Sequence, residues 1–123
     1  MSEVVTKKNK HQKVEGENRA VGRFFRVQPD KVRIMARNVI GLSVGQALNL
    51  LKFSPNKSAY LLHKVLKSAV SNAINNESLD PDFLFVHRIF VDRAAMLKRY
   101  HPCAHGRAKP ILKRSCHITV VVK

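Results

Sequence analysis

From Arg93 to Lys123 the chain carries eight Lys or Arg and no Asp or Glu. Seven of them, Arg93, Lys98, Arg99, Arg107, Lys109, Lys113 and Arg114, cluster ahead of a final apolar run. Their chemistry suits phosphate, Arg through its planar fork and Lys as a point charge. An ordinary solvated face mixes both signs, so a one-signed stretch calls for a polyanionic partner. Ala94, Ala95, Pro102, Ala104 and Ala108 are small enough to let backbone lie close to that partner. Tyr100 among them has a ring able to stack on a nucleobase.

The same stretch holds residue types suited to two other chemistries. His101, Cys103, His105, Cys116 and His117 are zinc-compatible types, and the first three alternate, so a strand would put them on one face. No CxxC pair is present and Cys116 falls on the far side of the hairpin, so no metal site is expected. Asp92 with His87 or His117 has the makings of acid–base chemistry. Asp92, however, is flanked by Arg88 and Arg93, which points to charge pairing at a strand end. Ser115-Cys116-His117 sets a thiol beside an imidazole, but neighbours on a strand face opposite ways. No Gly-rich phosphate loop occurs. The chain is read as a non-enzyme with no cofactor.

The elements that hold these residues follow from pattern. Phe83–Val91 and Cys116–Val122 are β-prone runs around the basic middle, which makes one long antiparallel hairpin with its tip at His105-Gly106-Arg107. Ala20–Val27 reads as a short strand. Pro29 suits a first helical turn, and Val32, Met35, Ala36 and Val39 share one helical face that stops at Gly41. Ser43 with Gln46 has capping-box form and opens a short helix bearing Val44, Ala47, Leu48 and Leu51. Ser54-Pro55 is read as the start of a third helix, striped by Leu62, Val65, Leu66, Ala69, Val70 and Ala73 and fading at Asn75-Asn76. Asp80-Pro81 turns into the hairpin. The fold class is therefore α+β: a strand, three helices and two strands, with a three-stranded antiparallel sheet packed on helices and a long extended hairpin over about residues 89–118. Residues 1–18 read as a flexible basic tail and 19–123 as a single domain. Setting aside tail and arm leaves roughly eighty residues, enough to bury about 60–65% of the unfolded surface.

Composition agrees. The formal net charge is +15 on 123 residues and the pI is about 10.6, which points to nucleic acid before anionic membrane. The third helix has small residues on much of its stripe, unlike a membrane-binding amphipathic helix, and no apolar run approaches the ~18 residues of a span. The first residues show no signal-peptide apolar region, and Glu3, Glu15 and Glu17 are unlike an acid-poor transit peptide. Two cysteines do not make a disulfide framework, so a reducing compartment is expected.

Several stretches resemble a known family. Gly106-Arg107-Ala108 with Ile111-Leu112-Lys113-Arg114-Ser115-Cys116-His117-Ile118-Thr119-Val120 is the most specific. Ile89-Phe90-Val91-Asp92, Leu97-Lys98-Arg99, Ala47 to Ser54, Lys64 to Ala69 and Ser71-Asn72-Ala73 match as well. Together they resemble the universal large-subunit ribosomal protein L-twenty-two family in its bacterial or organellar form, over about Arg23 to Val122. The resemblance implies binding to large-subunit ribosomal RNA, with neighbouring ribosomal proteins and the nascent polypeptide as further partners and no membrane. The location it implies is the ribosome, in the cytoplasm or in an organellar matrix or stroma. The implied RNA contacts extend from the hairpin cations to Arg23, Arg26, Lys31, Arg33, Lys57 and Lys64. The implied tunnel-facing tip comprises Leu97, Tyr100, His101, Cys103, Ala104, His105 and Gly106. This sequence departs from the family pattern where Val-Asp-Glu-Gly-Pro becomes Val91-Asp92-Arg93-Ala94-Ala95, and where Pro102-Cys103-Ala104 replaces Pro-Arg-Ala.

Overall fold

A computed structural model describes residues 18–123, so the tail expected at the N-terminus lies outside it except for Asn18. That residue opens β1 (Asn18–Phe25) and is buried, its Nδ2 donating to Glu77 Oε2 at 2.7 Å. Helices α1 (Pro29–Val39), α2 (Val44–Phe53) and α3 (Lys57–Glu77) follow, then β2 (Val86–Pro102) and β3 (Ala108–Val122). The strands form one antiparallel sheet in the order β1-β3-β2. The fold is the α+β arrangement expected from sequence.

Each helix keeps its expected apolar face. Pro29 stands in the first turn of α1, and Val32, Met35, Ala36 and Val39 are buried. Val44, Ala47 and Leu51 are the buried face of α2, while Leu48 is only partly covered. The α3 stripe from Leu62 to Ala73 is buried throughout, and Ala59, Ala69 and Ala73 are fully covered. With so small a ridge the helix lies close against the sheet. Ser78 ends α3 in a left-handed turn (φ 51°), its N–H donating to the Ile74 carbonyl at 3.1 Å.

Four element ends differ from expectation. The first strand, expected over Ala20–Val27, runs over Asn18–Phe25. Ser43 precedes α2, but its hydroxyl makes no cap hydrogen bond. Its residue instead bridges Phe85, and the Val44 amide donates to the Leu84 carbonyl at 3.0 Å, so the chain entering β2 satisfies the helix end. Ser54 does not start α3: its hydroxyl donates back to Leu50 O at 2.8 Å, closing α2, and α3 begins at Lys57 behind Asn56. Phe83 is not in a strand. The turn begun at Asp80-Pro81 continues as a 3-10 turn over Pro81–Phe83; backbone pairing begins at Phe85, which exchanges hydrogen bonds with Lys123 at 3.0 and 3.1 Å, and β2 itself at Val86.

The outer edge of β2 near its start is not left bare. Gly41 N–H donates to Val86 O at 2.9 Å and Val86 N–H to Leu42 O at 3.0 Å, stitching the α1–α2 connection along it. Arg33 adds a guanidinium to the Val91 carbonyl at 2.9 Å. Such covering blunts an edge that would otherwise pair with another chain.

β1 pairs with β3 only as far as Phe25 opposite Cys116, and its register shifts between Gly22 and Phe25. In that bulge Phe24 adopts a left-handed φ of 56°, which costs an L-residue roughly 1–2 kcal/mol. The bulge folds the Phe25 ring over Gly22, directly against the place a side chain would occupy, with Val65 Cγ2 2.9 Å from the same point. Gly22→Ala therefore overpacks a closed site at about 1–3 kcal/mol. The entropic gain from losing a glycine, about 0.4–1 kcal/mol, is smaller. The variant is expected to unfold at lower denaturant with an unchanged m-value; a midpoint at or above the wild type would contradict this packing.

A candidate nucleic-acid interface

Beyond Cys116 the central strand has no β1 beside it, and the β2–β3 pair continues alone as an arm. Over Ala94–Pro102, at about 3.3 Å per residue, it extends roughly 30 Å. The register shifts between Ala94 and Leu97, where Ala95 and Met96 together face Arg114. Paired residues share a face. Above the bulge one face therefore carries Leu97, Arg99 and His101 with Lys113, Ile111 and Lys109, and the other Lys98, Tyr100 and Pro102 with Leu112, Pro110 and Ala108. Cations thus reach both faces of the arm, and all of them are exposed.

The tip closes over Cys103–Arg107. His105 (φ 59°) and Gly106 (φ 67°) are both left-handed, as the expected His105-Gly106-Arg107 turn requires. Cys103 N–H donates to Arg107 O at 2.8 Å and Arg107 N–H to Ala104 O at 3.4 Å. Tyr100 sits just below, 70% exposed. His101 pairs with Lys109, and no three potential metal-ligating side chains converge here or elsewhere among the described residues. Leu97, grouped with the tip from sequence, lies at the root instead, half-buried beside the bulge.

Two clefts gather the globular and arm cations. One, of about 560 Å³, opens where Arg26–Gln28 leave the sheet beside the arm root, lined by Leu97, Arg99, Leu112, Lys113 and Arg114. The second, of about 530 Å³, lies between α1 and the start of α3 and is lined by Arg26, Lys31 and Lys57 with Ile34 and Met35. Arg26 belongs to both. Lys57 Nζ reaches the Arg26 carbonyl at 3.3 Å, tying α3 to this corner. The result is a cationic track from the helices onto the arm, turning at Arg26. The clefts of Lys57 and Arg99 adjoin because both are lined by Arg26, Val27 and Gln28 of the β1–α1 connection.

The remaining expected contacts are placed differently. Arg23 is exposed in the β1 bulge, and Arg93 is exposed opposite Cys116. Lys64 lies 4.4 Å over the Tyr60 ring, away from either cleft. Arg33 is half-exposed: it pairs with Asp30 Oδ1 one turn back on α1 at 2.8 Å and donates to Val91 O at 2.9 Å. The second bond ties α1 to β2, which gives this cation a structural role.

With the geometry in place, comparison with known proteins is decisive. Residues 20–123 match the model of the family described as ribosomal protein L22p/L17e. The chain belongs to that family. A relative named large ribosomal subunit protein uL22, from Syntrophobacter fumaroxidans, is 51% identical over 106 residues, 86% of this chain and 96% of that one. One of the same name from Pseudothermotoga lettingae is 48% identical over 107 residues, 87% of this chain and 77% of its own length. Cys116 is fully buried; that burial pushes its thiol up, partly opposed by the Arg33 guanidinium.

In the folded protein a water-soluble disulfide reagent is expected to titrate Cys103 readily and Cys116 only on unfolding. Because the unfolded thiol ionises at lower pH than the folded one, Cys116 makes stability decline as pH rises from the unfolded thiol range towards the raised folded value. Rapid labelling of both cysteines in native buffer would contradict this burial.

Proposed function

We propose that this chain is a structural constituent of the large ribosomal subunit that grips ribosomal RNA along the Arg26 track and extends its hairpin tip to the wall of the nascent-peptide tunnel. The observation that carries the reading is the convergence of Arg26, Arg99, Lys113 and Arg114 in one cleft, with Lys31 and Lys57 in the adjoining one. Among the described residues no carboxylate lines either cleft, so mutual repulsion there is relieved by an anion. An extended polyanion such as an RNA strand fits a track that runs from helix to arm. The names of the relatives support the particle in which that RNA resides. The tip, Tyr100 to Gly106, is the part farthest from the core and bears no acid.

Salt dependence tests the grip. With about six phosphates neutralised and a slope of roughly −0.7 to −0.9 per phosphate, affinity for large-subunit RNA fragments should fall several-hundredfold to a few thousandfold between 50 and 200 mM salt. Arg26→Ala should lower the slope by about one. A slope near zero would remove the electrostatic account.

Shortening the arm tests the tip. Deleting Lys98-Arg99 with Ile111-Leu112 removes two register pairs and, being even, leaves the remaining faces unswitched. These residues are outside the core, so the isolated domain should unfold as before. Particles containing it should assemble with the tip withdrawn by about 7 Å. Unchanged tunnel dimensions in a map of such particles would overturn the tunnel placement.

A further inference from the structure

The sheet face turned away from α3 has a feature that folding does not explain. Register sets Arg19, Val121 and Arg88 across one row, Val21, Thr119 and Phe90 across the next, and His117 with Asp92 across the third. Phe24 joins that third row from the bulge. Its N–H donates to His117 Nδ1 at 3.0 Å, and its ring meets the imidazole edge-to-face at 4.6 Å and 85°. A perpendicular contact engages at most one face of the ring, which remains 62% exposed. The backbone beneath it is left-handed, a strained state for a bulky residue. Strain and a pinned ring, with little burial in return, are the marks of a group held ready for a partner.

The surroundings identify the partner's chemistry. Arg23 adjoins Phe24 in the chain, Arg19 and Arg88 stand two rows along the same face, about 13 Å away, and the face runs on the other way to Lys113, Arg99 and Lys109 of the arm. Asp92 is the one acid in the three strands. An open aromatic face with cations on either side along the strands suits a single-stranded nucleic acid with a base out of a duplex.

We propose that Phe24 is a stacking platform for an unpaired RNA base, with the adjoining phosphate against Arg23 and the strand running on along the face towards Arg19 and Arg88. This rests on the RNA-binding reading above and adds a site apart from the Arg26 clefts. The test uses the full chain, an RNA strand of about twelve nucleotides with one central 2-aminopurine, and a duplex of the same length. Wild type should quench the probe. Phe24→Leu should weaken single-strand binding about tenfold and abolish quenching, with the salt slope and duplex affinity unchanged. Phe24→Tyr, which keeps the ring, should behave as wild type, and hydrogen exchange at β3 verifies that each variant is folded. If Phe24→Leu binds and quenches as wild type does while Arg26→Ala still lowers the salt slope, the grip stands and the stacking site is overturned. Absence of quenching by wild type, with salt-dependent binding retained, also overturns it and points to an apolar protein side chain as the occupant. Loss of salt dependence altogether would sink the underlying reading instead.

Discussion

The structure depends on one strand doing two jobs. From Ser115 to Val122, β3 is the middle of the sheet and every residue but His117 is buried; from Ala108 to Arg114 every residue is exposed. The change happens between Arg114 and Ser115, where β1 falls away on one side and the β2 register shifts on the other. Pairing continues through the junction without a break in β3. The arm is thus an extension of the central, buried strand of the sheet, and its direction is inherited from the core.

That continuity sets the energetic contrast between the two halves. The buried half holds Cys116, Ile118, Val120 and Val122 against α3, all at zero exposure, where apolar burial contributes about 25 cal/mol per Å². The arm has only β2–β3 hydrogen bonds and a few half-covered side chains such as Leu97. A lone two-stranded ribbon is at best marginal in water, and its like charges work against it. On the proposed reading, phosphate contacts supply what apolar burial does not, and binding and final ordering of the arm are one process, while the globular half needs no such help.

Much of this was legible in the sequence because it is written in period and charge. The α1 and α3 stripes repeat at helical spacing, the His105-Gly106 turn separates two β-prone runs, and the acid-free stretch is visible as composition. What escaped depends on partners distant in the chain. Ser43 and Ser54 have the look of helix starters, but the backbone groups they were expected to satisfy are met by Leu84, or the hydroxyl turns back to Leu50. Arg33 reads as one more surface cation, and only the approach of Val91 gives its guanidinium a carbonyl to hold. Leu97 is adjacent to Lys98-Arg99 in sequence yet belongs to the root, because the bulge decides where the arm begins. The Phe24 platform had no local signal beyond an aromatic pair beside arginine; it needs His117 from the other end of the chain.

The bulge also accounts for the largest departure from the family pattern. Arg93-Ala94-Ala95 stand where the resemblance leads one to expect an acid followed by Gly-Pro, a pair suited to a sharp local turn. In this chain no residue from Arg93 to Leu97 has a positive φ. The two-against-one pairing opposite Arg114 bends the ribbon with residues that any L-amino acid can replace. Glycine is therefore not required, and alanine keeps the strand extended at lower entropic cost. Exchanging the acid for Arg93 brings the one-signed surface down to the first turn-free pair above the core, opposite Cys116. The local rule that fails here, a turn signal where the arm departs, fails because the departure is made by register and not by a turn.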